Sequence, residues 1–392
     1  MSKLACNIVS YRPDPDMLAA NFSPWHVEAL LQEAAALIDR CLDDYREYSS
    51  LDYAWNVFKY DLEMLEKQVG PDKKPELEKK VGFDETGETR TSSGWVYYHA
   101  DDSEEGTDQT KAGGETEPEE GERRAEPATP DLRAEAVSRK RELSARGQPF
   151  ALDEQRDLVL KRLCRDYEEA VNRATVAEEG LKRIYGHAGV PSPLPSEAET
   201  LGSSITNLAI WTRNATEWVA KYRQMEQSFT RLVSVRALMS RNAWGQLRHA
   251  RDSFSVKLQV PAELFQGYDN CRLRGISVSL VGEAGTVPWS AMVRLPEAAV
   301  YVRSGQSVEA DQSRLAPCLL GRVENRRGVR TSEICGEASH LNASPVGRSN
   351  TAEGLWSLEI LKPVGAVSES FAQVDDVVLE IKTVGTVQKT GS

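Results

Sequence analysis

The hydrophobic pattern of this chain changes period once, and the change divides it. Leu208, Trp211, Ala215, Trp218, Tyr222, Met225, Phe229 and Leu232 recur in steps of three and four, the spacing that keeps one helix stripe facing a partner. Further on, Phe254, Val256, Leu258 and Val260 alternate with polar residues, as in a strand with one buried face. The junction, residues 244 to 282, predicts a helical arm giving way to a β domain.

Three long helices are expected upstream. The first runs from about Pro24 to Val69, with Ser23 as N-cap and Pro24 at the first helical position. Two series step by seven through it: Leu30, Leu37, Leu51, Phe58, Leu65, interrupted by Asp44, and Ala34, Cys41, Tyr48, Trp55, Leu62, Val69. Such a helix is about 65–70 Å long by its rise per residue and reads as one arm of a coiled coil, ended by Gly70-Pro71. The second helix, about Leu152 to Tyr185, carries Leu160, Leu163, Tyr167, Ala170, Ala174, Ala177, Leu181 and Ile184, with Gly186 as its stop. The proline-rich loop Val190 to Pro195 reverses the chain, and the third helix, about Glu197 to Arg241, returns antiparallel with the first alongside.

From Asp252 onward the signals are strands: Leu273 to Leu280, Trp289 to Leu295, Val300 to Arg303, Leu319 to Val323, Trp356 to Ile360 and Val377 to Ile381. Separated by Gly, Pro and Asn turns, they read as an antiparallel β-sandwich of roughly eight strands. The fold expected is therefore α+β: a long antiparallel helical coiled-coil hairpin, or three-helix arm, followed by an antiparallel β-sandwich. Its segments are an N-terminal tail and first helix (1–70), an acidic linker (71–150), a helical hairpin (151–245) and the β-sandwich (246–392).

Charge sharpens the division. The net charge is −12, and residues 101–127 hold 11 acidic against three basic side chains, so −8 of it sits in one segment. Residues 71 to about 150 are too poor in apolar side chains to offset the entropy of ordering and read as disordered, apart from the aromatic island Gly94 to His99 and a helix from Leu132 to Arg146. The island reads as a docking motif or as a strand packed on the chain's own fold. The remainder is near neutral, against a phosphate-tracking surface, so no nucleic-acid partner is expected. Six scattered cysteines without a Cys-x-x-Cys pair read as a reduced, cytosolic type. Leu4-Ala5-Cys6 has the look of a lipoprotein cleavage site but no apolar region precedes it, and no run of 18 apolar residues occurs. A cytoplasmic location follows, with export by a non-classical route compatible.

No nucleotide-binding, metalloprotease or serine-hydrolase motif occurs, and no two of the five histidines share a metal-ligand spacing. Cys335 and His340 form the one conceivable thiol–imidazole pair, without an orienting group. Asp375-Asp376 reads as a solvated bulge sooner than a cation site, and the arginines of 322–330 as a charged hairpin tip. No enzyme, cofactor or metal is expected. The aromatics off the helical stripe are the candidate partner interface: Trp244 and Trp289 near the junction, Phe265 and Tyr268 around the turn 266–270, joined by Arg326 and Arg327.

The stretch Leu247-Arg248, Ser253 to Leu258, Pro261-Ala262-Glu263-Leu264-Phe265 and Arg272 to Leu280 resembles the C-terminal region of the A subunit of bacterial Tc (toxin complex) insecticidal toxins. There a helical hairpin feeds a strand, a Leu-Pro-x-x-Leu-Phe turn and a second strand. Gly354 to Glu359 and Phe371 to Ile381 resemble that region's closing strands, so the resemblance spans about Leu158 to Lys382. It implies a protein–protein docking and assembly subunit, like the part of the A subunit that packs against the B subunit, with a large protein partner or self-association through the helices. The chain lacks that subunit's shell, receptor-binding domains and most channel helices, and adds the acidic insertion. The alternative is a β-sandwich binding a ligand such as carbohydrate on a helical oligomerisation stalk, which an exposed aromatic triplet on a concave sheet face would favour.

Overall fold

The computed structural model describes residues 11–69, 130–148, 150–196, 199–250, 253–282, 289–326, 329–331, 342–361 and 371–388. The acidic run, the aromatic island and the Cys335–His340 pair lie outside these residues. The chain divides into two compact units, one of Met1–Tyr45 with Leu160–Ser392, the other of Arg46–Val159. Helix α2 (Val27–Val69) and helix α4 (Leu152–Gly180) contribute to both.

In the first unit the helices form an antiparallel layer. Helix α1 (Pro15–Asn21) starts on Asp14, whose carboxylate accepts from the Asp16 amide at 3.0 Å. The expected Ser23–Pro24 start is a 3-10 turn, Pro24–His26, without a side-chain cap, and α2 follows it. Leu30, Leu31, Ala34, Leu37, Ile38 and Cys41 are buried along α2. Contacts with α4 and the turn that continues it run in opposite senses: Arg173 to Glu33, Arg162 to Asp44, and Tyr185 to Glu28. Asp44, which breaks the heptad series, is buried because the Arg162 guanidinium grips both its oxygens; a charge in an apolar stripe survives only when paired. The fully buried Ala170, Ala174 and Ala177 keep the α4 face flat. Helix α4 continues as one π-turn, Leu181–Tyr185, and ends at Gly186, whose φ of 75° suits a residue without Cβ.

Helix α5 (Leu201–Gln224) opens on a capping box between Thr200 and Ser203 and buries Ile205, Leu208, Trp211, Ala215 and Val219. It stops 17 residues short of the expected Arg241. Glu226–Ser234 instead form strand β1, paired along all nine residues with β10 (Val374–Val387). The helical stripe Met225, Phe229, Leu232 conceals a second pattern, Phe229, Arg231, Val233, of period two; the ladder with β10 decides between them, leaving Met225 and Leu232 exposed. Two short helices follow, α6 (Val235–Leu238) and α7 (Arg241–Arg248).

The other strands are β2 (Ser253–Leu258), β3 (Tyr268–Gly282), β4 (Trp289–Arg294), β5 (Ala298–Arg303), β6 (Gln306–Asp311), β7 (Cys318–Arg326), β8 (Val329–Thr331) and β9 (Trp356–Leu361). Every pairing is antiparallel. Eight lie in the order β1-β10-β3-β8-β7-β4-β9-β2, and β5-β6 form a separate ribbon. Strand β7 belongs to both halves of this order, which face each other like a sandwich across one core. Into it point Val278, Leu280, Leu379 and Ile381 from one half and Phe254, Val293, Leu358 and Ile360 from the other.

The second unit holds the distal half of α2, helix α3 (Pro130–Leu143) and the first turns of α4. Helix α3 occupies almost the span expected for it. Val137 is fully buried against Leu62, Leu65 and Ala134. Around it Arg141 pairs with Glu66 at 2.7 Å and the Lys140 ammonium sits 5.6 Å above the Phe58 ring. No helix among the described residues is long and apolar enough to cross a membrane.

Candidate functional site

The chemistry of the first unit gathers at the start of β3, and an irregularity of that strand explains why. From Ile276 on, even-numbered residues face the sandwich core; before it, the odd-numbered Cys271 and Leu273 do. The parity switches because Arg274 is an extra residue opposite β10, whose Lys382 and Thr383 pair with Gly275 and Leu273. Such a bulge re-aims the side chains before it. Arg272 consequently points out of the core, towards the helices.

There it is wholly buried. Its guanidinium pairs with Glu226, donates to Asn342 Oδ1 at 3.0 Å and lies 4.0 Å above the Tyr185 ring and 5.5 Å from that of Tyr222. Asn342 donates to Glu28 at 2.8 Å and to the Trp25 carbonyl at 2.9 Å, while its own carbonyl accepts from Tyr301 at 2.6 Å. Glu28 also accepts from Tyr185 at 2.7 Å and from Arg274 at 3.2 Å. Arg303 closes the set: it donates to Asn270 and to the carbonyls of Arg183 and Ile184, capping the last turn after α4. This network ties α2, α4, α5 and β1 to the sheet.

Burial pushes the Glu28 carboxyl up, but the charge of Arg274 and the Tyr185 and Asn342 donors outweigh it and hold the group at about 2. A carboxylate held below its unfolded value stabilises the fold above pH 4.5, and that contribution drains away as pH falls towards 2. Its size is on the order of 3 kcal/mol. Urea unfolding of the wild type between pH 5 and pH 2.5 should therefore show a steeper fall in stability than that of Glu28→Gln, which lacks this contribution; equal slopes in the two proteins would remove Glu28 from the account.

Next to the network lies a cleft of about 450 Å³, lined by Ala262, Glu263, Phe265, Gln266, Gly267, Tyr268, Cys271, Val300, Val302, Val346 and Gln388. Strand β5 alternates across it: Ala299 and Tyr301 are buried, while Val300 and Val302 are half-buried in the cleft wall. Gly267, at φ 85°, turns the chain back so that its carbonyl accepts from the Gln388 amide at 2.9 Å. Asp269 fastens the rim, accepting from Gln388 Nε2 at 2.9 Å and the Ser304 amide at 2.8 Å. Burial first, then the Asp269 charge, pushes the Cys271 thiol up to about 12, so it lines the cleft as a small apolar residue and not as a nucleophile.

Of the sequence-derived interface set, Phe265 and Tyr268 meet in this cleft. Phe265 is 4% exposed, and Tyr268 stacks on Phe229 with centroids 4.2 Å apart. Trp289 is fully buried against Phe371, and Trp244 is buried beside Leu247, both in the sandwich core and away from solvent. Arg326 ends β7, paired with Val329 at the tip of the β7–β8 hairpin, and Arg327 lies outside the described residues. Asp376 follows the bulge at Asp375 and binds the Ser234 hydroxyl at 2.6 Å and the Arg236 amide at 3.1 Å, bracing α6. The described aromatics of the β domain are buried or stacked on one another. Among the described residues no cluster of three metal-ligand side chains occurs.

The sequence reading passed over Val300, Val302, Val346 and Gln388. Strand β5 was expected, and its alternation Ala299-Val300-Tyr301-Val302 held the signal: with Ala299 and Tyr301 on the buried face, the valines form an apolar row on the other.

No protein-family model matches the chain, and no curated protein matches it. Among solved structures it is similar to that of Morganella morganii TcdA4, at 12% identity and a TM-score of 0.36, over 65% of this chain and 12% of that one. It is also similar to Yersinia pseudotuberculosis TcaA-TcaB, at 12% identity and a TM-score of 0.37, over 66% of this chain and 15% of that one. The chain thus spans under a sixth of the length of either.

Proposed function

We propose that the chain is a non-enzymatic docking subunit, and that the β domain receives a segment of a large protein partner in the cleft between β5 and the start of β3. The observation that carries this reading is the lining itself. Val300, Val302, Val346 and Phe265 form an apolar floor, while Glu263, Gln266 and Gln388 form a polar rim, the anatomy of a protein-binding hot spot. The floor is preorganised: the Arg272 network behind it fixes β3 and β5, so little ordering cost falls on binding. A partner of the toxin-complex kind, as the sequence resemblance implies, is the reading adopted. The carbohydrate alternative called for an exposed aromatic triplet on a concave sheet face, whereas the described aromatics of the β domain are buried or half-buried.

The test is quantitative capture of partners from the native host by the tagged full chain and its Val302→Arg variant. Arginine at this half-buried wall position fills the cleft without entering the core. Partner recovery is expected to fall at least about tenfold, with the melting temperature almost unchanged. Equal recovery by both proteins would rule the cleft out as the docking surface.

A further inference from the structure

Helix α2 carries a second apolar stripe that the heptad reading did not contain. Tyr53 is 73% exposed, Val57 42%, Tyr60 63% and Met64 39%. Their steps of four, three and four place them on one face about 16 Å long. Inside the second unit this face is not the one that meets α3, which takes Phe58, Leu62 and Leu65. Four large apolar side chains in register on one helix form a seam.

We infer that this seam binds a second copy of the same chain, antiparallel across a twofold axis between residues 57 and 60. The sequence is complementary to itself in that arrangement. Tyr53 meets Met64 of the second copy and Val57 meets its Tyr60, so each layer pairs a large residue with a smaller one. A parallel pairing would stack tyrosine on tyrosine and valine on valine, leaving layers of unequal width. The flanks agree: the antiparallel register sets Asn56 opposite Glu63 and Ala54 opposite Asp61, so no carboxylate faces another. The chain's own acidic run, residues 101–127, suits the seam badly, since Asp61 and Glu63 border it with the same sign of charge.

Area sets the strength. A tyrosine buries 150–250 Å² at most, so two partly exposed tyrosines, a valine and a methionine from each copy, with their flanks, cover on the order of 1,000 Å² in total. That is the lower limit for a specific contact, the size class of weak, transient association. This inference is independent of the cleft and stands or falls without it.

Sedimentation of the full chain from about 1 to 300 μM tests it, together with Tyr60→Glu, an exposed change that leaves circular dichroism and melting temperature unaltered. The wild type is expected to shift from monomer to dimer, and Y60E to weaken the dimer at least about tenfold. A mixture of N56C and E63C chains should form a disulfide-linked dimer above the wild-type background, whereas neither variant should do so alone. A monomer throughout, a dimer indifferent to Y60E, or crosslinking by N56C alone would each overturn the proposal.

Discussion

Arg272→Leu should destabilise the first unit by about 3–5 kcal/mol, because removing one partner of a buried ion pair strands the other. The guanidinium is wholly buried, and Glu226, its partner, is only 5% exposed at the side chain. Leucine restores part of the volume but leaves the Glu226 carboxylate, Asn342 Oδ1 and the faces of Tyr185 and Tyr222 without their cation. The double variant R272L/E226L should recover much of the loss, since two apolar groups in place of a buried pair cost far less than one stranded charge. Urea midpoints at pH 7 for the wild type, both single variants and the double variant measure the coupling directly. A loss below about 1 kcal/mol in R272L would mean that the network decorates the joint and does not hold it.

The second large effect lies at Gly180, where α4 passes the start of α2. A Cβ there would fall well inside van der Waals contact of the Val27 side chain and of the Pro24 carbonyl oxygen. Two effects compete in Gly180→Ala. Helix propensity favours alanine by about 1 kcal/mol. The close approach opposes it: Val27 can rotate only within a buried site, and the Pro24 oxygen is backbone in a 3-10 turn anchored by Asn342, which donates to the next carbonyl, that of Trp25. Overpacking of this kind costs about 1–3 kcal/mol or more, and here it includes backbone displacement, so a net loss of about 2 kcal/mol is expected. Thermal unfolding decides the sign. A stabilised variant would show that the two helices separate freely at this point.

Much of the fold was legible because its signals are periodic. The stripe of α4, the Gly186 stop, and strands β2, β3, β4, β5, β7, β9 and β10 all lie where alternation or three-four spacing placed them. The errors arose where two periods share one sequence. Residues 225–235 satisfy helix and strand alike, and only pairing with β10, some 150 positions later, resolves them. Asp44 read as a defect because its partner, Arg162, is remote in sequence. The candidate site was half visible. Phe265 and Tyr268 were found as aromatics off the helical stripe; Trp289 and Trp244 satisfied the same criterion but are buried in the core away from the cleft, and Phe265 lines the cleft while also belonging to that core. Arg272 escaped notice because an arginine in a strand reads as solvent-facing by default. The bulge at Arg274 that buries it is hinted at only by the neighbouring Gly275 and a break in parity.

The central claim, that the cleft beside β5 is where this chain meets a protein partner, is tested most directly by photocrosslinking in the native host. A photoreactive residue at Gln266, on the exposed rim of the cleft, is compared with one at the exposed Leu232 of β1. The account predicts a single large adduct from position 266 that disappears when Val302→Arg is added, and none from position 232. The same adduct from both positions, or one from position 266 that survives V302R, would contradict it.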